Sequence, residues 1–172
     1  VFESGAYDDQ GRILGADGLP LASEAAYGPT EPHRDVVTLP DQVPIYESLM
    51  ADSDGLPTFR LLRAAGHRKD NRLLPLGWRA DHDEAERTAP HGEAAEDDDF
   101  VAGEDTVTYE IDAPAASGPY RLEASLLYQA ISERFRAELL EYDTPEVDDF
   151  ARYDDSAARQ PEELATLSVT IP

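Results

Sequence analysis

The amino-acid sequence predicts a mainly β fold: an antiparallel two-sheet β-sandwich with one amphipathic helix and long acidic loops. Alternation of apolar and polar residues, typical of half-buried strands, occurs in three segments, 106–111, 120–128 and 166–171. Helical spacing replaces it in residues 129–142, where apolar residues share one face at Ile131, Phe135, Leu139 and Tyr142. The sequence has no internal repeat and no regular alternation of strands with helices, which favours the sandwich over a βαβ fold.

Turn-forming residues bound the elements of the amino-terminal half. Residues 8–11 combine Asp and Gly and predict a turn between two short extended pieces. Residues 43–50 carry apolar side chains at alternate positions and predict a strand, and residues 52–55 predict the turn after it. Residues 58–64 fit either a strand or a short helix, so this assignment stays open.

The carboxyl-terminal half is predicted to hold a hairpin and then the helix. Pro and Gly in residues 113–119 are expected to join the strands at 106–111 and 120–128 through a longer hairpin loop. Thr144 and Pro145 are expected to end the helix, because proline disrupts a helix interior. Inward-facing positions of these elements form the predicted core: Val107, Tyr109, Ile111, Leu122, Leu126, Ile131, Phe135 and Leu139.

Length and composition fit one domain. The chain has 172 residues, of which 41% are hydrophobic and 30% are charged, as in globular proteins. We therefore predict a single β-sandwich-like domain spanning residues 1–172. The chain begins at Val1, without Met and in what reads as a strand, so we expect it to be a fragment of a longer protein.

The chain is strongly acidic, because 14 Lys and Arg face 37 Asp and Glu, a net charge of −23. This charge repels nucleic acids and anionic membranes and favours cations and basic proteins, so we expect no nucleic-acid partner. No apolar run approaches the ~18 residues of a membrane span, so we expect no membrane insertion. An acidic surface with Lys69 as the only Lys predicts salt tolerance, although Arg in place of Lys is also typical of GC-rich genomes.

The residue types exclude several chemistries. Without cysteine the chain forms no disulfide, thiolate metal site or cysteine nucleophile, and it binds no haem covalently. No serine lies in a G-x-S-x-G motif, and no glycine-rich loop is arranged to cradle phosphate. We therefore expect a non-catalytic protein. A hydrolase that uses paired carboxylates stays open, because 37 acidic residues make such pairs common.

Two groups of residues are candidates for binding a metal or a cofactor. Asp97, Asp98 and Asp99 end the acidic loop at 81–99, and loop carboxylates are ligands that Ca²⁺ prefers. A solvated acidic loop is the alternative. His67 is a candidate axial ligand for the haem of a neighbouring domain, and an exposed loop histidine is the alternative.

A structural motif is predicted at residues 69–77, where a charged cluster leads into an apolar run. Asp70 and Arg72 are expected to form a buried pair that satisfies backbone groups, with Pro75 and Gly77 at fixed places after them. Seven of the fourteen Lys and Arg residues lie between positions 60 and 87. We expect them to pair with the protein's own acids, and a docking patch for an acidic partner or a haem propionate is the alternative.

Residues 69–77, KDNRLLPLG, resemble the D-x-R-(I/L)-x-P-x-G signature near the carboxyl end of exported bacterial multihaem c-type cytochromes. Three further segments fit this resemblance: 1–5, 42–50 and 106–128. In that family C-x-x-C-H repeats precede a haem-poor, β-rich region. The repeats are absent here, and the acidic segment 81–99 is not part of the family pattern.

The resemblance implies a function and a location. It implies a non-catalytic accessory domain of a periplasmic multihaem cytochrome, which supports electron transfer by packing on or docking the haem module. Haem is then expected in an upstream region, and the expected partners are this haem-bearing domain and a basic redox protein. The alternative is a stand-alone β-sandwich module that binds calcium or carbohydrate.

We predict that salt stabilises the fold. The net charge of −23 repels itself in the compact state, and ions screen exposed charges beyond about 10 Å at 0.1 M salt. Thermal unfolding in low and high sodium chloride measures this effect. A midpoint that stays constant or falls with salt contradicts the prediction.

Overall fold

The computed structural model describes residues 1–112, 115 and 118–172, and it is mainly strand, with 24% strand and 17% helix. The strands are β1 (Val36–Val37), β2 (Ser48–Ala51), β3 (Pro57–Thr58), β4 (Gly66–Asp70), β5 (Thr108–Tyr109), β6 (Tyr120–Tyr128) and β7 (Glu162–Ile171). The helices are α1 (Glu133–Leu139) and α2 (Pro145–Ser156). Antiparallel sheets form as predicted, but a two-sheet sandwich is not confirmed.

The chain folds as two compact units. The central unit is Pro29–Glu110, and the split unit combines Val1–Gly28 with Ile111–Pro172. Each unit has its own strands, and each sheet lies within one unit. The single domain spanning residues 1–172 stays a prediction.

The central unit contains two small sheets. Strand β2 lies between β3 and β4 in an antiparallel sheet, and it covers only the end of the strand predicted at 43–50. Strands β1 and β5 form a parallel pair, with Val36 opposite Thr108. The predicted turn at 52–55 is present, because the Asp52 carbonyl accepts the Gly55 N–H (3.0 Å).

The split unit is built on a long ribbon. Strand β6 has the predicted bounds and pairs antiparallel with β7, so that Tyr120 lies opposite Ile171. The predicted hairpin between 106–111 and 120–128 is wrong, because β5 pairs with β1 in the central unit. The joining segment falls partly outside the described residues, at positions 113, 114, 116 and 117.

The ribbon has one apolar face. Paired positions share a face in an antiparallel ladder, so this face consists of Tyr120, Leu122, Ala124, Leu126, Ala165, Leu167, Val169 and Ile171. Its large aliphatic side chains remain substantially exposed. The sequence therefore predicted the alternation of the strand correctly, but not its burial.

The helical region contains two helices, where one was predicted at 129–142. Helix α1 begins after Ser132, whose hydroxyl accepts the Phe135 N–H (3.3 Å). Thr144 and Pro145, expected to end a helix, instead begin α2: Thr144 caps it and Pro145 occupies its first turn, where no N–H is needed. No helix in the described part of the chain is long and apolar enough to cross a membrane.

The predicted core is wrong. Tyr109, Ile111, Leu122, Leu126 and Ile131 are exposed, and Val107, Phe135 and Leu139 are only half-buried. Buried hydrophobic residues among those described all lie in the central unit: Val37, Val43, Leu49, Leu74, Ala85, Ala94 and Phe100. Periodicity indicates which residues share a face, but whether another layer covers that face is decided elsewhere in the chain.

We predict that Leu49→Ala destabilises the protein far more than Leu126→Ala does. Leu49 is 0% exposed, whereas Leu126 is 44% exposed on the ribbon. Loss of a buried leucine side chain leaves a cavity and costs about 2–5 kcal/mol of unfolding free energy, whereas surface changes usually stay within about 0.5 kcal/mol. Chemical denaturation of both variants measures this. Similar losses for the two would show that the ribbon face is covered in solution.

Candidate metal centre

The parallel pair of β1 and β5 brings two acidic segments of the central unit together. Parallel strands place their amino ends at the same edge. His33 lies three residues before Val36, and Asp105 lies three residues before Thr108, which is opposite Val36. The Thr108 N–H donates to the Asp35 carbonyl (2.7 Å), which fixes this edge.

A third segment approaches through the core. The 3-10 turn Gly92–Ala95 is followed by Asp97, Asp99 and the buried Phe100. Phe100 packs in one cluster with Leu74 and Ala94, and its ring meets the His33 imidazole edge-on, with centroids 5.1 Å apart. The Asp97 Oδ1 atom accepts the Asp99 N–H (3.0 Å), so the loop is held by its own turn. Burial of Phe100 thereby anchors Asp97 beside His33.

These segments form the His33 cluster, which we define as His33, Asp35, Asp97, Asp99 and Asp105. The His33 Nε2 atom lies 3.0 Å from Asp97 Oδ2, 3.6 Å from Asp35 Oδ1 and 4.0 Å from Asp105 Oδ1. The ligand atoms of His33, Asp97 and Asp105 all lie within 4.8 Å of one another. Ca²⁺ binds each oxygen ligand at about 2.3–2.6 Å. Two ligand atoms of one ion can therefore lie up to twice that distance apart, which is compatible with the spacing in the cluster.

In the part of the chain that the structure describes, no Lys or Arg forms an ion pair with a carboxylate of the cluster. The Asp105 side chain is 1% exposed, and its Oδ2 atom accepts the Tyr46 hydroxyl (2.5 Å). The other oxygen, Asp105 Oδ1, is buried without a hydrogen-bond partner. The nearby Arg34 guanidinium is bound to Glu31 (2.9 Å). A buried carboxylate oxygen without a partner is costly, and a bound cation would remove that cost.

The pKa values of groups in the cluster also reflect this excess of negative charge. Burial and the negative charge of Asp97 raise the pKa of Asp35. Loss of hydration and the Asp97 carboxylate likewise raise the pKa of Asp99. Burial would raise the pKa of Asp97 too, but hydrogen bonds from His33 and the Asp99 backbone outweigh it, and the net pKa is lowered. Burial and Asp105 raise the pKa of Tyr46, which keeps its hydroxyl a donor.

Asn71 holds the opposite side of the His33 ring. Its Nδ2 atom lies 3.1 Å from His33 Nδ1 and also donates to the Ile45 carbonyl (3.0 Å). Its Oδ1 atom accepts the Glu47 N–H (2.9 Å). Asn71 is buried, so these bonds determine its orientation and that of the ring.

The cluster is open to solvent on one side. A cavity of about 420 Å³ borders it and is lined by Pro32, His33, Arg34, Asp35, Glu93, Glu96 and Asp97. Four of these seven residues are acidic, so the entrance attracts cations. The cavity therefore gives a small ion access to the Asp35 and Asp97 carboxylates of the cluster.

The predicted Asp97–Asp99 triplet is only partly in this centre. Asp97 and Asp99 belong to the His33 cluster, where the Asp99 N–H donates to Asp97 Oδ1, whereas Asp98 is exposed outside it. His33, Asp35 and Asp105 were not predicted. Asp105 lies 72 positions after His33, and no spacing rule connects such residues before the β1–β5 pairing is known.

The candidate haem ligand His67 lies on β4. Its ring stacks on that of His91 with centroids 4.4 Å apart, and its Nε2 atom lies 3.7 Å from Asp70 Oδ2. Its side chain is partly exposed. Ligation of a haem iron by His67 stays a prediction.

The structural motif is only partly buried. The Arg72 guanidinium donates two hydrogen bonds to the Asp70 carboxylate, from Nε to Oδ1 (2.9 Å) and from Nη2 to Oδ2 (2.6 Å). Asp70 is buried, as expected, but the Arg72 side chain is 62% exposed, so the pair is buried on the Asp70 side only. Gly77 has φ 88° in a turn where the Pro75 carbonyl accepts the Trp78 N–H (2.9 Å).

The apolar run at residues 73–76, within the motif, is mostly exposed, although such a run after a charged cluster is typical of a chain that enters the core. Leu74 enters the core, whereas Leu73 and Leu76 remain at the surface. The turn at Gly77 reverses the chain before it can continue inward.

Some of the basic residues at 60–87 pair with acids of the chain, which confirms the expectation for these residues. Four of the seven form ion pairs within the chain: Lys69 with Glu47, Arg72 with Asp70, Arg79 with Asp81, and Arg87 with Glu84. Lys69 is buried, and its Nζ atom also donates to the Ile45 carbonyl (2.7 Å). Burial lowers the pKa of Lys69, although Glu47 opposes this.

Comparisons with known proteins identify no relative. No protein-family model, no curated protein and no solved structure matches this chain. The resemblance to multihaem cytochromes therefore stays a prediction from the sequence, and the His33 cluster is the main structural guide to function.

We predict that Arg72→Ala destabilises the central unit by about 1–3 kcal/mol, because it leaves the buried Asp70 carboxylate without its main donor. Arg79→Ala is the matched control, since Arg79 and Asp81 form a similar pair (2.7 Å) that is exposed on both sides and is expected to contribute little. Chemical denaturation measures both variants. Equal losses would contradict a structural role for Arg72.

The Asp70–Arg72 pair also predicts that the stability of the protein depends on pH. Burial would raise the pKa of Asp70, but the bonds from Arg72 outweigh it and hold the pKa below its ordinary value of 3.8. The lowered pKa means that the ionised carboxylate is more favourable in the folded state. Its stabilisation is complete above pH 3.8 and is lost as pH falls through the lower folded value. The stability difference between wild type and Asp70→Asn is expected to shrink in that acidic window.

Proposed function

We propose that this chain is a non-catalytic binding module whose central unit binds a divalent cation at the His33 cluster. The observation that carries this proposal is the buried Asp105 Oδ1 atom, which has no partner and faces a group of carboxylates. A cation there would replace the repulsion between the carboxylates by the attraction of each carboxylate to the cation. It would also neutralise part of the densest acidic region of a chain with net charge −23.

A cation at this position would hold separate segments of the chain together. The carboxylates come from three separate segments, before β1, after Gly92–Ala95 and before β5. Strands β1 and β5 have only two residues each, so their ladder alone holds these segments weakly. A ligand that binds only the folded state adds stability by mass action, about 2.7 kcal/mol at a hundredfold excess over Kd.

We predict that millimolar Ca²⁺ raises the thermal midpoint more than Mg²⁺ does at equal ionic strength. Mg²⁺ demands near-ideal octahedral geometry and retains its waters, whereas carboxylates from separate loops suit the adaptable shell of Ca²⁺. Asp105→Asn is expected to abolish the specific shift, because it removes the charge of the buried oxygen pair. Asp98→Asn makes the same charge change at an exposed neighbour of the cluster and is expected to keep the shift.

Calorimetric titration with Ca²⁺ separates specific binding from general screening. A binding isotherm present in wild type and Asp98→Asn, but lost in Asp105→Asn, supports the proposal. Equal shifts with both ions, or equal behaviour of the two variants, would contradict it.

A second proposal is the accessory domain of a periplasmic multihaem cytochrome. Its support is the sequence resemblance at residues 69–77, together with the exposed apolar face of the β6–β7 ribbon, which a haem-bearing domain could cover. The complete reading frame tests it: C-x-x-C-H repeats upstream of Val1 support it, and their absence opposes it.

A further inference from the structure

We infer that the cation bound by the His33 cluster is Ca²⁺ held by oxygen atoms alone, and that His33 positions Asp97 instead of ligating the metal. This inference rests on the proposed function and specifies its ligand. It departs from the simplest interpretation of the geometry, in which His33, Asp97 and Asp105 would each supply one ligand atom.

The first step is the orientation of the Asn71 amide. The Glu47 N–H donates to Asn71 Oδ1 (2.9 Å), and Asn71 Nδ2 donates to the Ile45 carbonyl (3.0 Å). A flipped amide would set an N–H against the Glu47 N–H and an oxygen against the Ile45 oxygen. Two backbone groups therefore determine which atom of Asn71 faces His33.

The second step is the position of the imidazole hydrogen. Asn71 Nδ2 faces His33 Nδ1 at 3.1 Å, and an amide nitrogen can only donate. His33 Nδ1 must accept this bond and carries no hydrogen. The ring hydrogen is then on Nε2, which donates to Asp97 Oδ2 at 3.0 Å.

The third step is the consequence for a metal. A histidine ligand binds through a nitrogen without hydrogen, and its other nitrogen normally donates an N–H to an acceptor. His33 has the reverse arrangement, since the nitrogen facing the cluster carries the hydrogen and the other nitrogen meets a donor. Zn²⁺ favours imidazole and thiolate ligands, whereas only the oxygens of Asp97 and Asp105 remain in this group, with Asp35 Oδ1 nearby at 3.6 Å from His33 Nε2.

His33 then has a positioning role. Its buried ring is held by Asn71 on one side and by the edge-on Phe100 ring on another. Its one N–H donates to Asp97, and the ring has no second hydrogen for Asp35 or for the Oδ1 atom of Asp105. Ca²⁺ accepts several carboxylate oxygens in a flexible shell, so it is the cation that matches this set.

The proton position is tested directly by nitrogen-15 NMR of the histidine rings in the cation-free protein. The His33 signals are assigned by their loss in His33→Gln, because the chain has four histidines. We expect the hydrogen on Nε2. A hydrogen on Nδ1 would overturn the inference without touching the proposed function.

Calorimetric titrations with Ca²⁺ and Zn²⁺ test the ligand set. His33→Gln keeps a side-chain N–H donor, so its Ca²⁺ affinity is expected to fall by about tenfold or less, the lower end for positioning residues. Asp105→Asn is expected to lose Ca²⁺ binding. Zn²⁺ binding that is stronger than Ca²⁺ binding and disappears in His33→Gln would overturn this inference but leave the proposed function intact. Binding of neither ion would refute the proposed function itself.

A further variant, Asn71→Asp, tests the inference through a gain of Zn²⁺ binding. Asn71→Asp offers a carboxylate to His33 Nδ1, which would draw the ring hydrogen there and free Nε2. We expect this variant to gain Zn²⁺ affinity of at least about tenfold over wild type. A folded variant without that gain counts against the inference. If the variant does not fold, the NMR result and His33→Gln decide.

Discussion

The buried side chain of Asn71 is the interaction on which the central unit depends most. It joins the segment before β2, through Ile45 and Glu47, to His33 and to the end of β4. The backbone adds a fourth bond, from the Asn71 N–H to the Glu47 carbonyl (3.1 Å). The strands of this unit have two to five residues, so their ladders satisfy few polar groups. A buried amide that donates and accepts with correct geometry supplies the missing bonds.

Charge is organised differently in the two units. In the split unit Arg136 binds Glu133 (2.6 Å) and Asp154 (3.2 Å), and Arg159 also binds Asp154 (2.8 Å). This chain of ion pairs ties α1 to α2 with each acid facing a guanidinium. In the His33 cluster the acids exceed the positive groups. The proposed cation would offset this local excess of negative charge.

The proposed cation would connect fold and function. The short β1–β5 pair places the acids, and the cation would in turn hold the pair together, so binding and local folding would be coupled. The same logic explains why His33 is buried: a ring fixed by Asn71 presents one N–H to Asp97 and prevents that carboxylate from turning away. In the inferred arrangement, a single N–H of His33 holds Asp97, and the negative charge of the cluster remains available to the ion.

The sequence by itself determined features that depend on neighbours along the chain. The bounds of β6 and the turns at 8–11 and 52–55 follow from periodicity and turn chemistry. Thr144 and Pro145 show the limit even there, because the same two residues can end one helix or begin the next.

Only the tertiary structure decided the strand pairing, the core and the assembly of the His33 cluster. Strand β6 carries an apolar face in the sequence, but its partner is β7 and not the preceding strand, and the face stays exposed. His33 and Asp105 meet because β1 and β5 pair in parallel across a long stretch of chain. Such contacts reflect the free energy of the whole fold, in which loop closure, burial and hydrogen bonding compete, and no local pattern of residues records their outcome.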